Sequence, residues 1–314
     1  MRIVASLLLG LGLLSLSGLR PAAPIPRREF RPAVGNGRLS AFSATGALVA
    51  VGGGAAPVAV FETRTGLLLR TYTGHTQPVT ALACSPHPDT VLSGDASGQV
   101  RLWRAETLAP LRQWQAPGPL LAVAFAPGGG RAVLATADAC WLWDLRSAAA
   151  PMPLKLQLPA NSHLTALAFG AEGRQLALGF DTGTALVVDL ATRTQASRLL
   201  GTAAVRSLCL HADTLLAATG GAELKVWPVS GTQVLAQRLP QALTAVAADA
   251  TGQLLALGFA TGETMTWNRA AQRPEQAFAS PGAPAVCRVQ FQPENGALVL
   301  SSYETGGPKT WLTQ

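Results

Sequence analysis

Seven copies of one pattern, each about forty residues long, run through the chain from residue 39 to residue 311. Residues 79–103 (VTALACSPHPDTVLSGDASGQVRLW), 120–143 (LLAVAFAPGGGRAVLATADACWLW) and 243–267 (LTAVAADATGQLLALGFATGETMTW) show it clearly, and segments 39–61, 164–188, 205–227 and 286–311 follow the same plan. Each reads as an apolar strand, a turn with Gly, Pro or Asp, a second apolar strand, a small-residue turn, and a third strand ending in a bulky residue. Those bulky residues are Phe61, Trp103, Trp143, Val188, Trp227, Trp267 and Trp311, at successive spacings of 42, 40, 45, 39, 40 and 44. Five of the chain's 7 tryptophans occupy this slot, which rules out chance placement. Alternation with period two, as in Val100-Arg101-Leu102-Trp103 and Leu224-Lys225-Val226-Trp227, specifies strands over helices.

A period near forty residues is that of one four-stranded blade of a β-propeller. The pattern resembles the WD-repeat family over about residues 28–314. The resemblance implies an all-β, seven-bladed β-propeller of four-stranded blades. It also implies structural roles for Gly74, His75, Trp103, Trp143, Asp144, Trp227, Trp267 and Trp311. The family's Gly-His pair occurs once, as Gly74-His75 four residues before Val79, and its Trp-Asp pair once, as Trp143-Asp144. His75 is expected to bond backbone near a blade edge. The turn aspartate that precedes the third strand in the family is replaced by Ser97, Ala137, Thr182, Gly221, Thr261 and Thr305. The family's buried His–Asp–Ser–Trp network is therefore expected to be missing from most blades, leaving apolar packing to hold them together.

The last copy ends just beyond its third strand, at Trp311. The segment Glu29-Phe30-Arg31-Pro32-Ala33-Val34 precedes the first copy and has no other role. Pairing it onto the last blade would close the ring and remove a long open edge. Pro32 requires that strand to lie at the blade's outer edge. Ahead of it, Met1-Arg2 followed by the apolar run Ile3 to Leu16 and small residues at Ser15 and Ser17 reads as a signal peptide over residues 1–17. That run is shorter than a spanning helix needs, so an uncleaved anchor is the alternative. Residues 18–27 form a proline-stiffened tether.

The formal charge of +7 raises the question of nucleic acid. The basic residues are scattered singly, with only Arg27-Arg28 adjacent, and no basic stretch is interleaved with aromatics. The pattern argues against nucleic-acid binding. The four cysteines, Cys84, Cys140, Cys209 and Cys287, have no metal-ligand spacing and fall in different repeats, so free thiols are expected.

Signatures of catalysis are missing: there is no G-x-S-x-G, no phosphate loop and no H-E-x-x-H. No catalytic residue, metal ligand set or cofactor is assigned. The triple glycines at 52–54 and 128–130 sit in turns needing positive φ and open no helix. His87 and His211 lie at turns between first and second strands. In the family, partners dock around the mouth of the central channel. The residues flanking the first position of each inner strand, and one turn position per blade, point there. Among them are Pro78, Thr80, Leu121, Thr165 and Cys287. Its charged members are His163, Asp181, Arg206, Glu304 and, in the first copy, Arg38. The first three, on adjacent blades, form a candidate polar anchor for a peptide or acidic group.

The resulting expectation is a non-catalytic, exported scaffold that binds a protein or peptide partner and meets a membrane only through an uncleaved N-terminus. One alternative is a propeller enzyme, or a cofactor or metal binder, with its site at the channel mouth. The other is an intracellular adaptor held by an N-terminal anchor, which four free thiols would suit.

Overall fold

A computed structural model describes residues 28–32, 37–54, 57–86, 90–278, 283–293 and 296–313. The signal-like segment, the tether, Ala33, Val34 and His87 lie outside these residues. Seven antiparallel four-stranded sheets form a ring, with no helix among the described residues.

The strands follow one another blade by blade. Strand β1 (Arg28–Glu29) precedes blade one, which holds β2 (Leu39–Phe42), β3 (Leu48–Gly52), β4 (Val58–Glu62) and β5 (Leu68–Tyr72). Blade two holds β6 (Val79–Cys84), β7 (Thr90–Asp95), β8 (Gln99–Arg104) and β9 (Pro110–Gln115), and blade three β10 (Ala122–Phe125), β11 (Arg131–Ala135), β12 (Cys140–Asp144) and β13 (Met152–Pro153). Blade four is β14 (Leu164–Phe169), β15 (Gln175–Phe180), β16 (Thr184–Asp189) and β17 (Gln195–Leu199). Blade five is β18 (Ser207–His211), β19 (Thr214–Ala218), β20 (Glu223–Pro228) and β21 (Leu235–Arg238). Blade six is β22 (Leu243–Ala248), β23 (Leu254–Phe259), β24 (Thr264–Asn268) and β25 (Arg273–Phe278). Blade seven has β26 (Val286–Phe291), β27 (Leu298–Tyr303) and β28 (Lys309–Leu312), completed by β1 in the order β1-β28-β27-β26.

The core is not a single central mass. It is divided into seven apolar layers, one between each pair of neighbouring blades. A middle strand is therefore buried on both faces, which explains why the second strands read as nearly unbroken apolar runs. QLALGF of β15 and LLALGF of β23 are buried over their last five residues. The outer strands β5 and β17 are largely exposed and correspondingly mixed in composition. All seven bulky third-strand residues are buried. Trp103, Trp143, Trp227 and Trp267 each join the layer shared with the preceding blade.

The ring closes as expected, with a latch that begins one residue earlier. Among the described residues the pairs are Arg28↔Thr310 and Glu29↔Lys309; Ala33 and Val34 of the expected segment lie outside the described residues. Phe30 N–H adds one bond to Pro308 O at 2.9 Å. Arg31 and Pro32 lie beyond the strand, Pro32 having no N–H to continue the ladder. Phe30 is fully buried, its ring 5.6 Å from that of Phe61 and edge-on to it, in the layer between blades seven and one. The latch therefore joins two blades through one aromatic side chain as well as through backbone.

Candidate functional site

Four inner strands carry the same irregularity near their first residue. The register to the second strand slips between Val79 and Ala81, Leu164 and Ala166, Leu243 and Ala245, and Val286 and Arg288. The extra residue in each bulge is Thr80, Thr165, Thr244 or Cys287. Thr80 Oγ1 donates to Leu120 O at 2.5 Å and Thr165 Oγ1 to Val205 O at 2.6 Å, each a carbonyl of the next blade. Cys287 makes the same bond with sulfur, Sγ to Arg38 O at 3.3 Å. Bulges of this kind re-aim one side chain; three of the four turn it toward the neighbouring blade, while Thr244 Oγ1 donates to Gly258 O of its own blade at 2.9 Å. Thr80 and Thr165 thus line the channel mouth, as the sequence suggests, while their hydroxyls already serve the blade joints.

Around this mouth lies a cavity of about 930 Å³. One wall runs from Pro117 to Leu121 and continues to Trp141; Arg38, Pro78, Cys287 and Arg288 contribute the other side. Arg38 is exposed on the rim. Arg288, half-buried on β26, passes blade one and donates from Nη1 to Leu82 O on blade two at 3.1 Å. Burial pulls its pKa below the ordinary value, and the charged or polarisable groups acting on it are the Cys287 and Cys84 thiols. An arginine remains protonated regardless. Neither Arg38 nor Arg288 joins an ion pair among the described residues. The carboxylate lining the cavity, Asp138, is 3.1 Å from His163 Nδ1.

The other sequence-selected residues fall outside the cavity wall. The His163 backbone N–H donates to Asp181 Oδ1 at 2.9 Å, and its ring turns to Asp138. Arg206 leans over Gly220 of its own blade, so close that a Cβ there would lie 2.9 Å from its Nε. Thus His163 and Asp181 meet, with Asp138 as their companion, and no bond joins Arg206 to them among the described residues. Glu304 stays exposed on the rim and acts electrostatically on the Cys287 thiol, as do Arg38 and Arg288.

Arg288 was not among the sequence candidates, yet its column signals it. Counting from the start of each inner strand, the equivalent residues are Ala41, Ala81, Ala122, Ala166, Ser207 and Ala245. A guanidinium stands where six copies keep a small side chain.

The residues given structural roles in the sequence make the following contacts. His75 does not bond backbone: its Nδ1 lies 2.8 Å from Asp95 Oδ2 and its Nε2 2.7 Å from Ser93 Oγ, which also accepts from Trp103 Nε1 at 3.0 Å. The His–Asp–Ser–Trp network is complete in blade two because Asp95 supplies the carboxylate from two residues before Ser97. Its Oδ1 accepts from Ser97 Oγ, Ser97 N and Gln99 N, which organises the turn. In blade three Val133 replaces the serine, and Trp143 Nε1 has no acceptor among the described residues. Instead the Arg112 guanidinium lies 4.7 Å from the Trp143 ring centre. Asp144 accepts from Arg146 N at 2.9 Å and shapes the following turn. Trp227 Nε1 donates to Gly231 O at 3.2 Å, while Trp267 and Trp311 are buried.

A ring of seven four-stranded blades, closed by its own N-terminal strand, defines a seven-bladed β-propeller. Residues 66–104 match the family model "WD domain, G-beta repeat". This stretch spans the outer strand of blade one and three strands of blade two, so the sequence repeat is staggered against the blade. Among solved structures, the β-propeller domain of Myceliophteria thermophila Cps50 (Swd1) superposes with a TM-score of 0.76 at 20% identity, covering 92% of this chain and 100% of that one. No curated protein matches in sequence.

Proposed function

We propose that this protein is a non-catalytic, exported propeller acting as a protein-interaction scaffold, which receives a protein or peptide at the mouth of its channel. WD-repeat propellers generally serve as interaction scaffolds, and fold alone does not choose the site. The observation that carries the reading is the cavity at the mouth, lined by apolar residues and by two arginines that join no ion pair among the described residues. That is the mixed lining a recognition site needs. Export rests on the signal-like residues 1–17, and mass spectrometry of the mature N-terminus tests it: cleavage near Ser17 supports export, and retention of Met1 refutes it.

For the docking face, Leu121→Arg places a charge in the cavity wall. Affinity capture at low and high salt with wild type and this variant should lose a specific partner only with the variant. Equal capture by both would move the binding face elsewhere.

A further inference from the structure

Arg38 and Arg288 both line the cavity, and neither joins an ion pair among the described residues. Arg288 spends one of its five N–H donors on Leu82 O, and Arg38 makes no side-chain bond among the described residues. Both line the cavity beside Cys287, whose Sγ donates to Arg38 O at 3.3 Å, and the Glu304 carboxylate acts on the same thiol without joining an ion pair with either arginine among the described residues. A half-buried charge without a counter-charge is costly, so a site of this kind gains from an anion that fills it. Opposite lie Pro117 to Leu121 and Trp141, an apolar surface that a free inorganic ion would not use.

We infer that the cavity takes an acidic side chain, Asp or Glu, from an extended segment of a partner protein. Its carboxylate lies between Arg38 and Arg288, and a neighbouring apolar side chain rests on the Pro117–Leu121 wall. The inference rests on the scaffold reading above and names the chemistry of its partner. Guanidinium forks match a carboxylate with paired N–H donors, and the resulting bonds are charge-assisted. A volume of about 930 Å³ holds several side chains, enough for an acidic residue and its apolar neighbours. Asp138, also in the lining, lies 3.1 Å from His163 Nδ1, so its charge is shared with a partner outside the cavity wall.

The test uses the full chain, immobilised, and pools of short random peptides whose central residue is Asp, Asn or phosphoserine. The Asp pool should be retained about tenfold more strongly than the Asn pool, the scale of one charge-assisted contact. Arg38→Gln and Arg288→Gln should each bring the Asp pool to the Asn level. Arg273→Gln, a change at an exposed residue on an outer strand, should leave the preference intact. Because Arg38 is on the rim, R38Q decides the matter even if R288Q fails to fold. Equal retention of Asp and Asn pools overturns the inference, as does a preference that survives R38Q or falls equally in R273Q. Stronger retention of the phosphoserine pool through the same arginines also overturns it, in favour of a phosphate site. If a partner protein is captured equally by wild type and R38Q, the scaffold reading stands and the acidic-segment inference falls.

Discussion

Two side-chain arrangements decide how individual residues contribute. His75 and Asp95 are buried together, and burial holds the imidazole pKa below its ordinary 6.5 despite the neighbouring carboxylate. Burial pushes Asp95 upward, but the bonds from Ser97, His75 and Gln99 together hold it below 3.8. The signs agree. Near pH 6.5 the unfolded chain binds more protons at His75 than the folded one, so stability is full above that pH and declines as pH falls through it. The Asp95 contribution persists above about 3.8 and is lost as pH drops further toward the folded value. His75→Gln should lower stability by roughly 1–3 kcal/mol at neutral pH, because Asp95 and Ser93 lose a buried partner. Urea melts from pH 7 to 5 should show a shallower decline in the variant. Parallel curves would mean that His75 does not titrate on unfolding. Cys287 offers the opposite kind of change. It occupies the bulge slot that three blades fill with threonine, and a thiol is a weak donor. Cys287→Thr should therefore strengthen the bond to Arg38 O and raise stability by about 1 kcal/mol; a lower melting temperature would show that the sulfur's volume matters more.

At the level of strands, closure is the point of weakness. Blade seven owns three strands, and its fourth is two residues long. Two backbone pairings and the Phe30 N–H give little by themselves, at about 1 kcal/mol net per bond. Phe30 provides the larger part, because its ring is fully buried between blades seven and one. Phe30→Ala should cost about 3–5 kcal/mol, the usual range for a core aromatic. A chain starting at residue 28 should melt like the mature form, and one starting at residue 33 should melt far lower or aggregate through the edge of β28. Equal melting of the two would reduce the N-terminal segment to a linker. Joints elsewhere rely on close approach. A Cβ on Gly179 would lie 2.5 Å from Val205 of the next blade, and on Gly258 the same distance from Val286. Gly179→Ala should destabilise by roughly 1–3 kcal/mol through overpacking, read as a lower denaturation midpoint.

Across the whole molecule, the layers between blades distribute stability around the ring and also shelter the thiols. The four cysteines, on blades two, three, five and seven, form no disulfide among the described residues. Burial pushes Cys140 up to about 12 and Cys209 and Cys287 up to about 11. Few of these thiols are ionised at pH 8, so alkylation of the folded protein should be slow. Unfolding without reductant should release all four; recovery of two would reveal a disulfide, contrary to the structure.

The forty-residue period and the seven bulky third-strand residues are written in the sequence, because strand alternation and blade length depend on neighbouring residues. They determine the ring and the blade count. Other features depended on how the ring closes. Asp95 could replace the absent turn aspartate only because the turn folds its carboxylate back onto His75, two residues out of register. Arg288 reaches Leu82 by passing a whole blade, a contact between residues 206 positions apart. His163 chose Asp138 over a patch with Arg206 because the neighbouring blade brings that carboxylate within reach of its ring. Periodicity specifies which way a side chain faces in its own strand. Which groups meet across blades is set by the curvature and closure of the ring, and only the tertiary structure contains that.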